Sequence, residues 1–271
     1  GFTLLRYLST YPESLSAGYF TGGLSAVGRS ADDIYAACYE QLRAKSLEYY
    51  KRFPGDRVRF AELAALAKKG EIATPSGDVV CPSRLRSLGH VLGASGGAEK
   101  LHYLLEYPHT SRAFRHDLAE LLPYGGRNPL YAVIHESSYA DGVVTDWSAA
   151  RMLPDDFRED PTLLTGEHIM PEWFDTDQEL RPWKEVADLI ANHPWPKLYD
   201  PDVLRTAEVP CAAAVYHDDA YVPRKFSLET AALLPQMHAW VTTEYEHNGS
   251  NASGGAVLDR LIKLAKGEIV R

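Results

Sequence analysis

Cysteine is scarce in this chain: Cys38, Cys81 and Cys211 are its three thiols among 271 residues. An odd count at wide spacing supplies neither a disulfide framework nor a zinc pattern, so each is expected to be a small buried apolar residue in a reducing compartment. Positive charge is in deficit as well. Lys and Arg number 28 against 37 Asp and Glu, a net charge of −9. That balance excludes a nucleic-acid partner, whose phosphates demand concentrated basic residues. Long apolar runs are missing too; no stretch reaches the length of a membrane span, so no membrane partner is expected. No charged-then-apolar leader opens the chain. The expectation is therefore a cytoplasmic protein whose glycosylation-like triplets, Asn248-Gly-Ser250 and Asn251-Ala-Ser253, stay unmodified. Internal repeats and low-complexity tracts are also absent.

What the chain does have is core-forming material, 45% hydrophobic residues beside 24% charged ones. Its first residues, "GFTLLRYLSTYPE", place Phe2, Leu4, Leu5 and Leu8 at helical spacing before a Tyr-Pro stop. "LSAGYFTGG" then reads as a short buried strand closed by Gly22-Gly23. A chain that opens in mid-helix is expected to be a fragment. From Ser30 the texture becomes helical: Ser30 and Asp33 suggest a cap, and Ile34, Cys38, Leu42 and Tyr49 follow on one face to Phe53-Pro54. "RFAELAALAKKG" is a second amphipathic helix with Gly70 after its end. The middle of the chain, to about residue 200, is aromatic, rich in proline and helix-leaning.

After Pro210 the α/β texture returns. "CAAAVYH" suits a buried parallel strand, "FSLETAALLP" a helix and "MHAWVTTEYEH" another strand. "SGGAVLDRLIKLAKG" is a last helix with Val257, Leu258, Leu261, Ile262 and Leu264 turned inward and Gly267 as its stop. Strand-helix alternation of this kind is the grammar of a doubly wound sheet, here interrupted by a helical insert.

Two clusters of residues could carry chemistry. The first is Gly93-Ala94-Ser95-Gly96-Gly97, a literal G-x-S-x-G, the wording of a nucleophile elbow. An elbow needs a buried strand before it, and "RLRSLGHVLG" offers Arg84, Arg86 and His90 where apolar residues should stand. The glycines there are better explained as helix breakers or close-packing points. The second cluster lies at two strand ends. Asp219 follows the strand ending near His217, and His247 follows the next one. Neighbouring strands of an open α/β sheet converge at their carboxyl ends, so an acid and an imidazole there can meet. On pattern alone, Asp218 and Asp219 could equally be turn formers and His247 a surface residue.

The motifs "GFTLLRYLSTYPE", "LGASGGAEKLHYLLE", "HESSYADG", "LLTGEHIMPEWF", "AAAVYHDDAYVPR" and "WVTTEYEHNG" run from one end of the chain to the other. Through them the sequence resembles the bacterial proline iminopeptidases, serine peptidases of the α/β-hydrolase fold. The resemblance implies that Asp219, first residue of Asp219-Ala-Tyr-Val222, is the catalytic acid rather than Asp218, and that His247 is the catalytic base. It further implies that Gly1-Phe2 ends an elbow of the form G-x-S-x-G-G-F, so that the nucleophile and the oxyanion loop precede Gly1.

Glu136 in "IHESSYAD" and Glu167 in "TGEHIMPEW" match positions whose carboxylates bind the substrate's ammonium in that family. Such carboxylates are natural partners for a free α-ammonium, and Tyr139, Met170, Trp173 and Phe174 could wall a pocket for a proline ring. A metal site is not expected: His135-Glu136 begins like H-E-x-x-H, but residue 139 is Tyr.

The sequence thus predicts an α/β-hydrolase fold, partial because the N-terminal half of its sheet is missing, with a mainly helical cap insertion. Residues 1–27 would be a core remnant, 28–203 the cap and 204–271 the C-terminal core. The expected activity of the intact enzyme is release of N-terminal proline from peptides, without a cofactor, this chain alone being inactive. The alternatives are another capped hydrolase acting on esters or amides, and a non-catalytic fragment. Nothing in the sequence sets an oligomeric state.

Overall fold

Three short strands, β1 (Gly18–Phe20), β2 (Cys211–Tyr216) and β3 (Met237–Thr242), form a parallel sheet in the order β1-β2-β3. Gly18 lies opposite Cys211 in the first pair, and Cys211 opposite Met237 in the second. The computed structural model describes residues 1–125 and 128–270. Gly126 and Arg127 of the expected insert, and Arg271 of the expected C-terminal core, lie outside the described residues.

The helices are α1 (Phe2–Leu8), α2 (Ala31–Arg52), α3 (Pro54–Lys68), α4 (Pro82–Arg86) and α5 (Gly97–Glu106). They continue as α6 (Arg112–Leu121), α7 (Pro129–Ile134), α8 (Ser148–Arg151), α9 (Asp155–Glu159) and α10 (Trp173–Thr176). The last five are α11 (Lys184–Ala191), α12 (Pro201–Thr206), α13 (Arg224–Ala231), α14 (Gly249–Ala252) and α15 (Ala256–Ala265). Proline opens α3, α4, α7 and α12, where its missing N–H costs nothing and its fixed φ suits the first turn. The Asp200 side chain caps α12, accepting from the backbone N–H of Asp202 and Val203.

Contacts divide the chain into two units. One gathers Gly1–Ser30, Tyr139–Val143 and Pro194–Arg271; the other, Ala31–Ser138 and Val144–His193. The expected boundaries at 28 and 203 differ from these, because residues 139–143 and 194–203 associate with the sheet-bearing unit. Asp141 explains this: its carboxylate accepts from the N–H of Leu198 and Tyr199, at 2.7 and 3.2 Å, and from that of Gly28 at 3.4 Å.

In the first unit β2 is buried along its whole length. Its alternate residues serve opposite faces, as strand geometry requires. Cys211, Ala213 and Val215 join Leu5, Leu8, Phe20 and Leu204 in one cluster, while Ala212, Ala214 and Tyr216 pack with Val257, Leu261 and Leu264 of α15. The expected inward set of α15 is corrected in one respect: Leu258 is 40% exposed and Ile262 only half-buried. The face that meets the sheet is narrower than five residues.

The second unit is helical. In α2 the buried residues Ile34, Tyr35, Cys38, Tyr39, Leu42, Ser46, Tyr49 and Tyr50 recur every three or four positions. In α3, Phe60, Leu63, Ala64 and Ala67 do the same, and Gly70 takes φ +74° just past the end. One core cluster joins Phe60, Leu63, Leu85, Leu88, Leu101, Leu104, Phe114 and Leu118; a second centres on Trp173 and Phe174.

Candidate active site

Asp219 and His247 are brought together in the first unit. The turn after β2 folds over the Asp219 carboxylate: Oδ1 accepts from the backbone N–H of Tyr221 at 2.8 Å and of Val222 at 2.9 Å. The other oxygen, Oδ2, accepts from His247 Nδ1 at 2.8 Å. The Asp219 side chain is 1% exposed and that of His247 is 34% exposed. A buried carboxylate that is held this way can fix one tautomer of the imidazole, leaving Nε2 as the nitrogen that exchanges protons. Asp218 is exposed and pairs with its neighbour His217 instead. One residue of displacement along a turn therefore separates a buried carboxylate bonded to His247 from a surface one.

Packing also restrains the imidazole. The Tyr221 ring meets it edge-on, with centroids 5.1 Å apart and planes at 85°. Gly22, just past β1, forms the other wall: a Cβ there would lie 3.0 Å from His247 Cε1 and 3.4 Å from Nε2. Gly23 takes φ +74°, and a Cβ on it would come within 2.8 Å of Val222 Cγ1. Gly1, at the start of α1, packs in turn on Gly23, with its ideal Cβ 3.5 Å from the carbonyl oxygen. The ends of β1, β2 and β3 and the start of α1 thus converge on one corner.

Below this corner Tyr216 donates to the carbonyl of Thr21 at 2.8 Å. Burial first and the Asp219 charge second push its phenol up to about 12, so it stays a neutral donor. Gly249 gives it room, since a Cβ there would fall 2.4 Å from the Tyr216 hydroxyl. Tyr216, Tyr221, Gly22 and Gly249 were not marked by sequence reasoning. Tyr221 lay inside the Asp219-Val222 motif, but nothing local distinguishes a wall from a spacer.

Glu136 and Glu167 lie in the second unit. Glu136 is buried, and its two oxygens accept from the N–H of Ser148 and of Ala149, at 3.0 and 3.1 Å, at the start of α8. Glu167 Oε2 accepts from His135 Nε2 at 3.1 Å. Of the apolar and aromatic neighbours expected to wall a pocket, Met170, Trp173 and Phe174 join one buried cluster, and Tyr139 falls in the first unit. His168, beside Glu167, is fully buried against Tyr35 and Tyr39, and its imidazole is pushed down to about 3 by burial and then by His135. Among the described residues, no three His, Cys, Asp or Glu side chains are placed to hold a metal ion.

Ser95 is no part of this site. It is exposed in a turn of the second unit, between a 3-10 segment over Ser87–Gly93 and α5, with helical rather than strand residues before it. Gly97 has a packing reason, since a Cβ on it would lie 1.7 Å from the Val91 carbonyl oxygen, and Gly96 a conformational one, its φ being +77°. The motif that spells an elbow builds a tight helix entry.

Comparison with known proteins adds a family dimension. No protein-family model matches the chain. It is similar to a proline iminopeptidase of Aeromonas sobria, with 38% identity over 278 residues that cover 97% of this chain and 64% of that protein. It is also similar to the proline iminopeptidase aneH of Aspergillus aculeatus, with 24% identity over 282 residues covering 99% of this chain and 63% of that one. The resemblance read from the motifs therefore holds along the whole chain, which spans somewhat less than two thirds of the length of either relative.

Proposed function

We propose that this chain forms the acid, base and substrate-recognition parts of a serine aminopeptidase that releases N-terminal proline from peptides. The observation that carries the proposal is the Asp219–His247 pair, an imidazole bonded at 2.8 Å to a buried carboxylate at the ends of neighbouring parallel strands. The two relatives named proline iminopeptidase support the substrate class. In this reading the first unit is α/β-hydrolase core and the second its helical cap.

The nucleophilic serine is proposed to precede Gly1 in the longer protein, and the packing of Gly1 on Gly23 is consistent with an elbow reaching this corner. The serine attacks the carbonyl of the N-terminal proline while His247 Nε2 takes its proton. The imidazolium, steadied by Asp219, then gives that proton to the amine of the departing peptide. Water repeats the sequence on the acyl-enzyme and frees proline. Glu136 and Glu167 supply the negative charge that favours a substrate with a free ammonium. No cofactor enters the scheme, and a cytoplasmic location suits a chain in which no described helix is long and apolar enough to cross a membrane.

The test is hydrolysis of a proline arylamide by the longer protein. Asp219→Asn should lower kcat about ten-thousand-fold with little change in KM, because it leaves the imidazole in the wrong tautomer. Undiminished turnover would refute the assignment. An esterase or amidase would use the same pair, so Glu167→Gln separates the readings: loss of proline-arylamide hydrolysis with retained ester hydrolysis favours the aminopeptidase.

A further inference from the structure

The second unit contains a cross-paired motif. His135 precedes Glu136 and His168 follows Glu167, yet the hydrogen bond runs between the two segments, from His135 Nε2 to Glu167 Oε2. The His135 side chain is 3% exposed and that of Glu167 is 17% exposed, so the bond lies under the surface while the carboxylate keeps a path to solvent. We infer that His135 is a positioning residue for ammonium recognition: it holds Glu167 in one orientation beside a cluster of aromatic rings, while Glu136, which shares in the negative charge, also fixes the neighbouring backbone. This rests on the reading that Glu167 receives the substrate's ammonium.

Four observations carry the inference. First, an imidazole N–H can hold a carboxylate without needing a positive charge of its own, whereas Arg or Lys would always bring one. Second, the Glu167 charge is felt nearby: the Tyr131 phenol is pushed up to about 12 by burial and then by that carboxylate. Third, aromatic rings gather at the same place. Tyr131 meets His135 edge-on at 5.5 Å, Tyr124 lies 5.7 Å from His135 and 5.4 Å from Tyr131, and Trp173 stacks with Tyr124 at 6.5 Å. A carboxylate beside aromatic faces suits an ammonium with apolar substituents, which is what the ring nitrogen of an N-terminal proline presents. Fourth, Tyr124 is held at φ +60°, a left-handed conformation costly for a bulky residue and one that clusters at ligand sites.

The division of labour follows from the bonds. Both oxygens of Glu136 accept from the first turn of α8, so that carboxylate anchors the segment behind Trp147. Glu167 accepts from a buried imidazole, and its side chain is 17% exposed.

The experiment measures binding of L-prolinol, a cation that cannot be hydrolysed, and of neutral N-acetyl-L-prolinol, by titration calorimetry on the full chain. His135→Leu should weaken L-prolinol about tenfold or more, the scale of a charge-assisted contact, and His135→Gln should restore most of it. Binding of the neutral ligand should change less than about twofold in either variant, which a merely structural role would not allow. The inference is overturned if His135→Leu binds L-prolinol like the parent, if His135→Gln is as weak as His135→Leu, or if both ligands are lost together. Glu167→Gln tells the two claims apart: unchanged L-prolinol affinity there sinks the recognition reading itself, while its loss beside an indifferent His135→Leu sinks only the role of His135. A second measurement avoids folding artefacts. In the unsubstituted chain the His135 Nε2–H proton resonance should shift on adding L-prolinol, and a stationary signal would also overturn the inference.

Discussion

A single methyl group added at Gly22 would land 3.0 Å from the His247 ring, closer than such atoms normally approach. The ring cannot retreat freely, because Tyr221 stands edge-on against it and Asp219 holds Nδ1. On the proposed function, Gly22→Ala in a chain extended upstream should therefore turn the imidazole off line and lower kcat about tenfold to a hundredfold while the fold persists, as small misplacements of reacting groups do. Hydrolysis of a proline arylamide, with the His247 ring resonances as a structural check, measures it. His168 supplies a different residue-scale outcome. Its ordinary value of 6.5 is pushed down to about 3 by burial, so on acidification the unfolded chain takes up a proton that the folded chain refuses. The stability this neutral ring contributes is present above pH 6.5 and is lost as pH falls toward 3, at up to about 1.4 kcal/mol per pH unit. Urea unfolding between pH 4 and 7 should show that slope in the parent and a flatter one in His168→Asn. That Asp219 and His247 could meet was legible from their places after two neighbouring strands, but the preference for Asp219 over Asp218 came from the resemblance. Gly22 and His135 were not legible, since their partners lie hundreds or tens of residues away and no local pattern announces them.

At the scale of elements, α15 shows what periodicity can and cannot deliver. Val257, Leu261 and Leu264 are buried against Ala212, Ala214 and Tyr216 of β2, as a helical stripe should be. Leu258 looks equally apolar in sequence but is 40% exposed, on the flank of the strip of α15 that meets the sheet. Leu261→Ala should cost about 3 kcal/mol, the usual result of emptying a closed site, whereas Leu258→Ala should cost under about 1 kcal/mol. Denaturant unfolding of the two variants measures the contrast, and equal losses would contradict this packing. The strands β1 and β2 were readable from short apolar runs, β3 from its alternation and β-branched residues, and α1, α2, α3, α13 and α15 as helices. The stretch between α6 and α12 was legible only as helix-leaning. Its helices are short, proline opens α7, and their positions are fixed by long-range contacts such as the bond from the Tyr39 hydroxyl to the Ala149 carbonyl.

At the scale of the whole molecule, the two units interleave along the chain, so neither corresponds to one uninterrupted stretch of sequence. Asp141 is the clearest case: a five-residue excursion joins the sheet-bearing unit through hydrogen bonds to residues 28, 198 and 199, a return that no composition shift could announce. The scarcity of cysteine then acquires an experimental use. Cys211 lies in β2 against Gly18, where a Cβ would touch its sulfur at 2.8 Å, and Cys38 is buried in α2 of the other unit. Burial pushes the Cys211 thiol up to about 11, so little of the reactive thiolate exists while the sheet is closed. Half-buried Cys81 should be alkylated first, and Cys38 and Cys211 only when their own units open. Site-resolved mass spectrometry during a short labelling pulse would follow this order, and rapid modification of Cys211 in native buffer would contradict it. The chain carries its own pair of clocks, one in each half, that record when a unit opens without any reporter being added.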